Sequence, residues 1–237
     1  LRGGFPDSFL AGSDTSSLAW RENFIRTYLE RDVPSLGITI AAPALRRFWT
    51  MVAHLHGGLW NASELARSLG ASQPTARRYL DVLTGTFVVR QLQPWFENVS
   101  KRQVKSPKVY IRDAGLLHAL LDIPTAHVLQ SHPKLGASWE GFVVEQILRI
   151  VNPRNAYFWT THGGAKLDLL LFHRGHRIGV EVKYADAPRT TKSMHIALRE
   201  LKLDELLIVY PGEAEYPLTN SIRAMSLGGA LEHLAAI

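Results

Sequence analysis

The stretch that decides the fold is KLDLLLFHRGHRIGVEVKY, residues 166–184. Two apolar runs flank the short polar turn His173–His176, which is typical of two paired strands. Because alternate strand residues share a face, Glu181 and Lys183 project together, and strand pairing can bring Asp168 beside them. Carboxylate oxygens bind Mg²⁺, the ion activates water, and a lysine stabilises charge on a phosphate. The stretch therefore predicts a sheet whose face carries a site for metal-dependent phosphodiester cleavage.

The same residues have a plainer interpretation, and the neighbouring elements help to choose. A Glu and a Lys two positions apart on an amphipathic strand are usually a solvated ion pair, so this spacing alone indicates little. Hydrophobic spacing predicts a helix, three strands, a helix and a strand, over residues 137–151, 156–160, 167–172, 177–184, 190–201 and 206–210. This α-β-β-β-α-β order indicates an α/β lobe in the second half of the chain.

Residues 44–83 carry the pattern of three helices. The first spans 44–55, and the two that follow form a helix-turn-helix. Asn61 is predicted to cap the second helix, with Glu64 at the capping-box position three residues later. Gly70 suits the position just after the end of that helix. Ser72 is predicted to cap the third helix, which should end near residue 83. A helix, a short turn containing glycine and a second helix together form the helix-turn-helix motif.

Two strands, over 85–92 and 109–111, are predicted to follow, so that a winged helix spans about residues 45–112 with an unusually long wing. The second helix of a helix-turn-helix, which is here the third helix capped by Ser72, enters the major groove. The wing contacts phosphates. The residues expected to contact DNA are Gln73, Thr75, Arg77 and Arg78 on the helix and Lys101, Arg102, Lys105 and Lys108 on the wing. Many winged helices only pack against other proteins, and that alternative stays open.

The charge of the chain is concentrated where the winged helix is predicted. The 237 residues carry a net charge of +6, with a sequence pI of about 9.7. The segment from residue 77 to residue 112 contains eight basic residues and only two acidic ones, Asp81 and Glu97. A local excess of this kind favours a polyanion partner, although a solvated basic surface would look the same.

Other features of the composition narrow the class of protein. Cysteine is absent, which excludes a disulfide framework and suits a reducing cytoplasm. No apolar run approaches the roughly 20 residues of a membrane span, so we expect a cytoplasmic protein without membrane contact. No phosphate-binding G-x-x-x-x-G-K-[ST] motif is present, so ATP chemistry is not expected of these residues. Because the chain begins with Leu1, we expect a piece of a longer protein.

The order of elements over roughly residues 134–210 resembles the PD-(D/E)xK nuclease fold of restriction enzymes and Holliday-junction resolvases. In that family a helix carboxylate, a strand aspartate and the glutamate of E-x-K hold the metal, and the lysine is catalytic. The resemblance implies that Glu140, Asp168 and Glu181 hold Mg²⁺ and that Lys183 completes the catalytic set. Glu145 is the alternative helix carboxylate. Relatives commonly carry a Glu two residues before the aspartate, whereas this chain has Lys166, which could neutralise the aspartate and compete with the metal.

Several phrases along the whole chain are similar to the C-terminal half of bacterial and archaeal AAA-type ATPases that end in a domain of unknown function. These phrases are LRGGFPDSFLA at 1–11, KRQVKSPKVYIRDAGLL at 101–117 and GASWEGFVVEQIL at 136–148. In that family a P-loop ATPase domain precedes a winged helix and a nuclease-like domain. The resemblance implies that ATP is bound only by the preceding domain, and that the partners are DNA and the parent ATPase domain.

These patterns together predict an α/β protein, α+β overall, in two lobes. The first is a helical lobe over residues 1–125 containing the winged helix, and the second is a restriction-endonuclease-like domain over 134–237. The predicted function is a DNA-binding C-terminal module of an AAA-type ATPase that carries a metal-dependent nuclease site. The alternative is a catalytically inactive nuclease-like fold acting as a protein-interaction or regulatory module. A working site requires Lys183 to face the attacking water rather than a closed pair with Glu181, with Arg189 and Lys192 placed to hold phosphates.

Overall fold

The computed structural model of the chain describes residues 1–96 and 105–237 and shows a mixed α/β structure with two sheets. Its contacts divide the chain into two compact units. The first unit comprises Leu1–Gln91 and Val109–Ser138, and the second comprises Leu92–Lys108 and Trp139–Ile237. The second unit therefore includes the segment Leu92–Lys108, which lies within the predicted helical lobe. The limits of the two lobes stay a prediction.

The first unit is mainly helical. Its helices are α1 (Pro6–Phe9), α2 (Asp14–Thr27), α3 (Val33–Ser35), α4 (Ala42–His54), α5 (Ala62–Leu69), α6 (Gln73–Gly85), α7 (Ala114–Leu120) and α8 (Ala126–Ser131), with a π-helical turn at Tyr28–Asp32. Three short strands, β1 (Gly58–Leu59), β2 (Val89–Leu92) and β3 (Lys108–Ile111), form a sheet in the order β1-β3-β2. The apolar faces of α4, α5 and α6 meet in one core, which includes Leu45, Phe48, Trp49, Leu65, Leu80 and Leu83.

The caps predicted for α5 and α6 are confirmed. Asn61 Oδ1 accepts a hydrogen bond from the Glu64 amide at 3.3 Å, and Ser72 Oγ accepts one from the Thr75 amide at 3.3 Å. Gly70 ends α5 with a φ of 71°, a left-handed conformation that glycine adopts at little cost. These local hydrogen bonds set the sharp turn between α5 and α6.

The strand predicted from residue 85 begins later than expected. Helix α6 continues to Gly85, and the Thr86 hydroxyl donates to the Val82 carbonyl at 2.7 Å, which extends the helical turn. Phe87 then adopts a φ of 64° and is 74% exposed, so it cannot belong to a strand. Strand β2 starts only at Val89. The prediction failed because an apolar run at a helix end resembles a strand when only the sequence is considered.

The second unit is built on a six-stranded sheet. Its strands are β4 (Ala156–Thr160), β5 (Lys166–His173), β6 (His176–Val182), β7 (Glu205–Val209), β8 (Tyr216–Pro217) and β9 (Ile222–Met225), in the order β4-β5-β6-β7-β9-β8. Strands β4, β5 and β6 pair antiparallel, β7 lies parallel to β6 and β9, and β8 is antiparallel to β9. The helices of this part of the chain are α9 (Leu135–Ile147), which begins in the first unit, α10 (Lys192–Glu200) and α11 (Leu227–Ala236).

The predicted order of elements in this lobe is confirmed as α9-β4-β5-β6-α10-β7, and the structure adds β8, β9 and α11. The turn between β5 and β6 consists of Arg174 and Gly175, with φ values of 47° and 89°. Two positive φ values in a two-residue turn suit the right-handed twist of an antiparallel pair. This tight turn fixes the register that places the site residues of β5 and β6 side by side.

His56 is a neutral histidine in the core of the first unit. Its Nδ1 atom accepts a hydrogen bond from the Ile111 amide at 2.9 Å, and its ring meets the edge of the Tyr110 ring at a centroid distance of 5.4 Å. Burial, followed by the positive charge of Lys134, lowers the pKa of His56 to about 3. The folded protein therefore keeps this imidazole in its neutral form at neutral pH.

We expect His56 to make the protein sensitive to acid. Its pKa is about 3 in the folded state, below the ordinary value of 6.5, so the unfolded chain takes up the proton first. The stabilisation is complete above pH 6.5 and is lost as the pH falls towards about 3, by up to about 1.4 kcal/mol per pH unit. Urea unfolding over this range measures the slope. His56→Asn keeps an acceptor without titrating and should flatten the slope, and an unchanged slope would contradict the assignment.

Candidate functional site

The four residues predicted to form a catalytic set all lie in the second unit. Glu140 is on α9, Asp168 on β5 and Glu181 on β6, and Lys183 follows the end of β6. The antiparallel register pairs Leu169 with Val180. Pairing of β5 with β6 therefore brings the aspartate next to the E-x-K segment, as the strand pattern predicts.

Asp168 is a buried carboxylate with its two oxygens in different surroundings. Its side chain is 5% exposed. Oδ2 accepts a hydrogen bond from the buried Val182 amide at 3.1 Å, which ties the side chain of β5 to the backbone of β6. Oδ1 lies 3.4 Å from the Lys108 ammonium. The position of Asp168 is thus fixed by strand pairing and by one lysine.

Glu181 is buried more deeply, and a hydrogen bond from the described residues reaches only one of its two carboxylate oxygens. Lys183 Nζ donates to Glu181 Oε1 at 2.6 Å. The other oxygen, Oε2, is buried and has no hydrogen-bond partner among residues 1–96 and 105–237. Burial raises the pKa of Glu181, the negative charge of Asp168 raises it further, and Lys183 opposes both. The glutamate therefore retains a proton more readily than an ordinary carboxyl group.

Lys183 forms a closed pair with Glu181, which differs from the open lysine that a working nuclease site requires. Burial lowers the pKa of Lys183, but the hydrogen bond and the charge of Glu181 outweigh this, and the net shift is upward. Lys183 is therefore a firmly charged partner of the glutamate in this arrangement, with its side chain 34% exposed.

Lys108 completes the group of charges, although the sequence assigned it to the wing. Its ammonium lies 2.9 Å from Glu140 Oε1, 3.4 Å from Asp168 Oδ1 and 5.8 Å from the centroid of the Phe158 ring. Its side chain is 14% exposed. Burial lowers the pKa of Lys108, but Glu140 and Asp168 outweigh it and raise the pKa overall. The Lys108 ammonium thus contacts two carboxylates and does not lie on a surface open to phosphates.

We refer to Glu140, Asp168, Glu181, Lys108 and Lys183 as the ion cluster. Sequence reasoning missed the place of Lys108 because it is separated from Glu140 by 32 residues and from Asp168 by 60. No spacing rule joins positions so far apart. The one available signal was that Lys108 falls in the phrase SPKVYIRDAGLL, which carries the resemblance to the ATPase tails.

The ion cluster does not fit a divalent metal ion as it stands. The Lys108 ammonium already bridges two of the three predicted ligands, Glu140 and Asp168. Within the described parts of the chain, no group of three or more His, Asp or Glu side chains is arranged to hold a metal. Two lysines, Lys108 and Lys183, instead pair with these carboxylates.

The remaining residues named for this site lie around the ion cluster. Glu145, the alternative ligand, is buried on α9. Lys166 is exposed, and its backbone amide donates to Ser193 Oγ at 2.6 Å. Its charge has a small lowering effect on the pKa of Glu181. Arg189 and Lys192, expected to hold phosphates, are both exposed, Arg189 in the segment before α10 and Lys192 as the first residue of that helix.

The residues predicted to contact DNA from the first unit lie on α6. Gln73, Arg77 and Arg78 are exposed, and Thr75 is half-buried. Arg77 and Arg78 also line an open groove of about 640 Å³, together with Leu36, Ile38, Pro74, Asp81, Val82, Gly85 and Thr86. The structure therefore presents a basic helix surface beside an accessible groove.

The residues predicted to contact DNA from the wing have different outcomes. Lys105 is exposed, whereas Lys108 belongs to the ion cluster. Lys101 and Arg102 lie outside the described residues, so their role stays a prediction.

Comparison with known proteins defines the family. Residues 1–127 match the model of the domain of unknown function DUF8612, and residues 135–229 match that of the domain of unknown function DUF4143. The first match covers more than half of the chain. The chain therefore belongs to the DUF8612 family, and its second part carries the DUF4143 domain.

Two mycobacterial relatives are similar over nearly the whole chain. They are the uncharacterized protein Rv2008c of Mycobacterium tuberculosis and the uncharacterized protein Mb2031c of Mycobacterium bovis. Each is 52% identical over 225 residues, which cover 95% of this chain and 51% of the relative. The chain thus spans about half the length of these relatives. No solved structure matches the chain.

In the described residues, no helix is both long and apolar enough to cross a membrane.

Proposed function

We propose that this chain is the DNA-binding C-terminal module of an AAA-type ATPase and that it binds duplex DNA through α6. The observation that carries the proposal is the exposure of Gln73, Arg77 and Arg78 on the second helix of a capped helix-turn-helix. Arginine binds phosphates and base edges through several N–H donors, so exposed arginines on such a helix suit a nucleic acid.

The surroundings of α6 support a winged-helix interpretation of the first unit. Helices α4, α5 and α6 share one core, and the three-stranded sheet β1-β3-β2 accompanies them. In a winged helix, three helices and a small sheet have this order, and the last helix lies in the major groove. Lys108 is paired within the ion cluster, but seven other basic residues against two acidic ones lie between positions 77 and 112, and this local excess supports a polyanion partner.

The link to an ATPase belongs to the same proposal. The phrases at 1–11, 101–117 and 136–148 resemble the tails of AAA-type ATPases, and the relatives are about twice as long as the matched region. A longer protein of this kind would bind ATP in its other half and use this module to hold DNA. A cytoplasmic location is part of the proposal, since DNA and ATP are available there.

We further infer that the second unit has a nuclease-like fold of the PD-(D/E)xK type. The order α9-β4-β5-β6-α10-β7 and the proximity of Asp168 to the E-x-K segment support this interpretation. The position of Lys108 between Glu140 and Asp168 favours a second candidate function, in which this lobe does not cleave DNA. In that role it would serve the parent ATPase as a regulatory or protein-interaction module.

The proposal is tested by the binding of the full chain to a fluorescently labelled duplex, followed by fluorescence anisotropy at low ionic strength. We expect saturable binding that weakens as salt is added, because phosphate contacts release condensed counterions. A protein-interaction module without a DNA role would show no change in anisotropy at any concentration. That result would overturn the proposed function and favour the rival role.

A further inference from the structure

The open groove beside α6, here called the α6 groove, has an apolar wall. Leu36, which directly follows α3, is 63% exposed and lines the groove together with Ile38 and Val82. The backbone around Leu36 is held in a turn, because the Gly37 amide donates to the Pro34 carbonyl at 2.9 Å. An apolar side chain that is exposed and already fixed by its backbone loses little freedom when a partner covers it.

The edge of the α6 groove is basic. Arg77 and Arg78 line it with one acidic residue, Asp81, and all three residues are exposed. Two arginines against one aspartate leave this edge with a net charge of +1. A segment that fills the groove should therefore bring apolar side chains and a negative charge.

The first unit itself presents a segment of this chemistry at α1. Phe9 and Leu10 are 62% and 76% exposed, and Asp7 is exposed on the same short helix. Arg2 fixes the segment, because its Nη1 atom donates to the Phe9 carbonyl at 3.2 Å. The charge of Arg2 is paired with Asp14 at 2.7 Å, so Asp7 leaves the segment with a negative charge. We refer to Asp7, Phe9 and Leu10 as the knob.

Exposed apolar surface is concentrated at the knob and the groove. The four most exposed large apolar side chains among the described residues are Leu10, Phe87, Leu36 and Phe9, in that order. Two of them form the knob, Leu36 lines the α6 groove, and Phe87 follows Thr86, which also lines it. Single apolar residues on a surface are ordinary, whereas concentrations of this kind mark contact surfaces. Since both surfaces are exposed in one molecule, the knob does not occupy the groove of its own chain.

We propose that the knob of one copy of this chain binds in the α6 groove of a second copy. Phe9 and Leu10 would cover Leu36, and Asp7 would lie near the basic edge. Burial of apolar side chains supplies the affinity, and the opposite charges orient the two copies, because exposed ion pairs alone contribute little. A contact made by so few side chains belongs to the small, transient class of protein interfaces. The inference does not depend on DNA contact, since its test leaves Arg77 and Arg78 unchanged and contains no DNA.

The test is sedimentation velocity of the full chain at increasing protein concentration. We expect the parent to self-associate, and both Phe9→Ser/Leu10→Ser and Leu36→Glu to weaken association by at least roughly ten-fold. These side chains are exposed, so both variants should keep the circular dichroism spectrum of the parent. Leu59→Ser is the matched control, because it removes an exposed leucine from β1 of the same unit and should associate like the parent.

A mixture of the two variants gives the sharper result. Phe9→Ser/Leu10→Ser retains its groove, and Leu36→Glu retains its knob. At a concentration where each variant alone sediments as a monomer, their equimolar mixture should form a 1:1 complex through one intact pair of surfaces. A parent that stays monomeric at every concentration would overturn the inference. So would association that neither variant weakens, or a mixture that stays monomeric where the parent associates.

Discussion

Replacing Arg77 and Arg78 together with alanine should weaken the binding of duplex DNA by at least roughly 30-fold. Both side chains are exposed on α6, the helix that would enter the major groove. Each arginine contact with a phosphate or a base edge contributes about 1–3 kcal/mol, and two such contacts are lost. Fluorescence anisotropy with the labelled duplex measures the change in the dissociation constant. The fold should be unaffected, because neither side chain belongs to the core.

The control removes the same charge from another surface of the first unit. Arg26 and Arg31 are exposed on α2 and on the π-helical turn after it, away in sequence from α6. The variant Arg26→Ala/Arg31→Ala should bind DNA almost as tightly as the parent. Equal losses in the two double variants would show a general effect of net charge and would contradict a specific role for α6.

Replacing Asp168 with alanine should lower the free energy of unfolding by about 2–4 kcal/mol. The carboxylate accepts from the buried Val182 amide and contacts the Lys108 ammonium, so its loss leaves a buried donor and a lysine with one partner fewer. Relief of the repulsion with Glu181 offsets part of this cost. Urea unfolding in the presence of a chelator measures the change without any contribution from metal.

Two variants separate the causes of that destabilisation. Asp168→Asn keeps an acceptor for the Val182 amide and should lose markedly less stability than Asp168→Ala. The exposed Asp186 is a matched control, and its replacement with alanine should change the free energy of unfolding by less than about 0.5 kcal/mol. An Asp168→Ala variant as stable as the parent would show that the ion cluster does not hold β5 and β6 together.

The features that could be predicted from the sequence are those encoded by near neighbours. Asn61, Gly70 and Ser72 mark helix ends through hydrogen bonds and a backbone conformation that involve only residues three or four positions away. The turn at Arg174 and Gly175 and the alternation of β5 and β6 are equally local. They sufficed to place Asp168 beside Glu181 and to give the order of elements from α9 to β7.

The features that the sequence did not reveal depend on distant contacts or on competition between local structures. Lys108 reaches Glu140 and Asp168 through the fold, and no periodicity joins these three positions. The apolar neighbours of Phe87 predict a strand, whereas the hydrogen bonds that close α6 turn the chain at this residue. A strand pattern can therefore predict which charged residues belong to a site. Which of these charges pair with one another depends on the tertiary structure.

The most direct test of DNA binding through α6 is the salt dependence of duplex affinity, measured for the parent and for Arg77→Ala/Arg78→Ala. A plot of the logarithm of the association constant against the logarithm of the salt concentration should be linear and falling for the parent. Each phosphate contact contributes a slope of about −0.9, so the double variant should give a line that is lower and shallower by roughly 1–2. Parallel lines of equal height, or no binding by the parent at low salt, would contradict the assignment of DNA contact to α6.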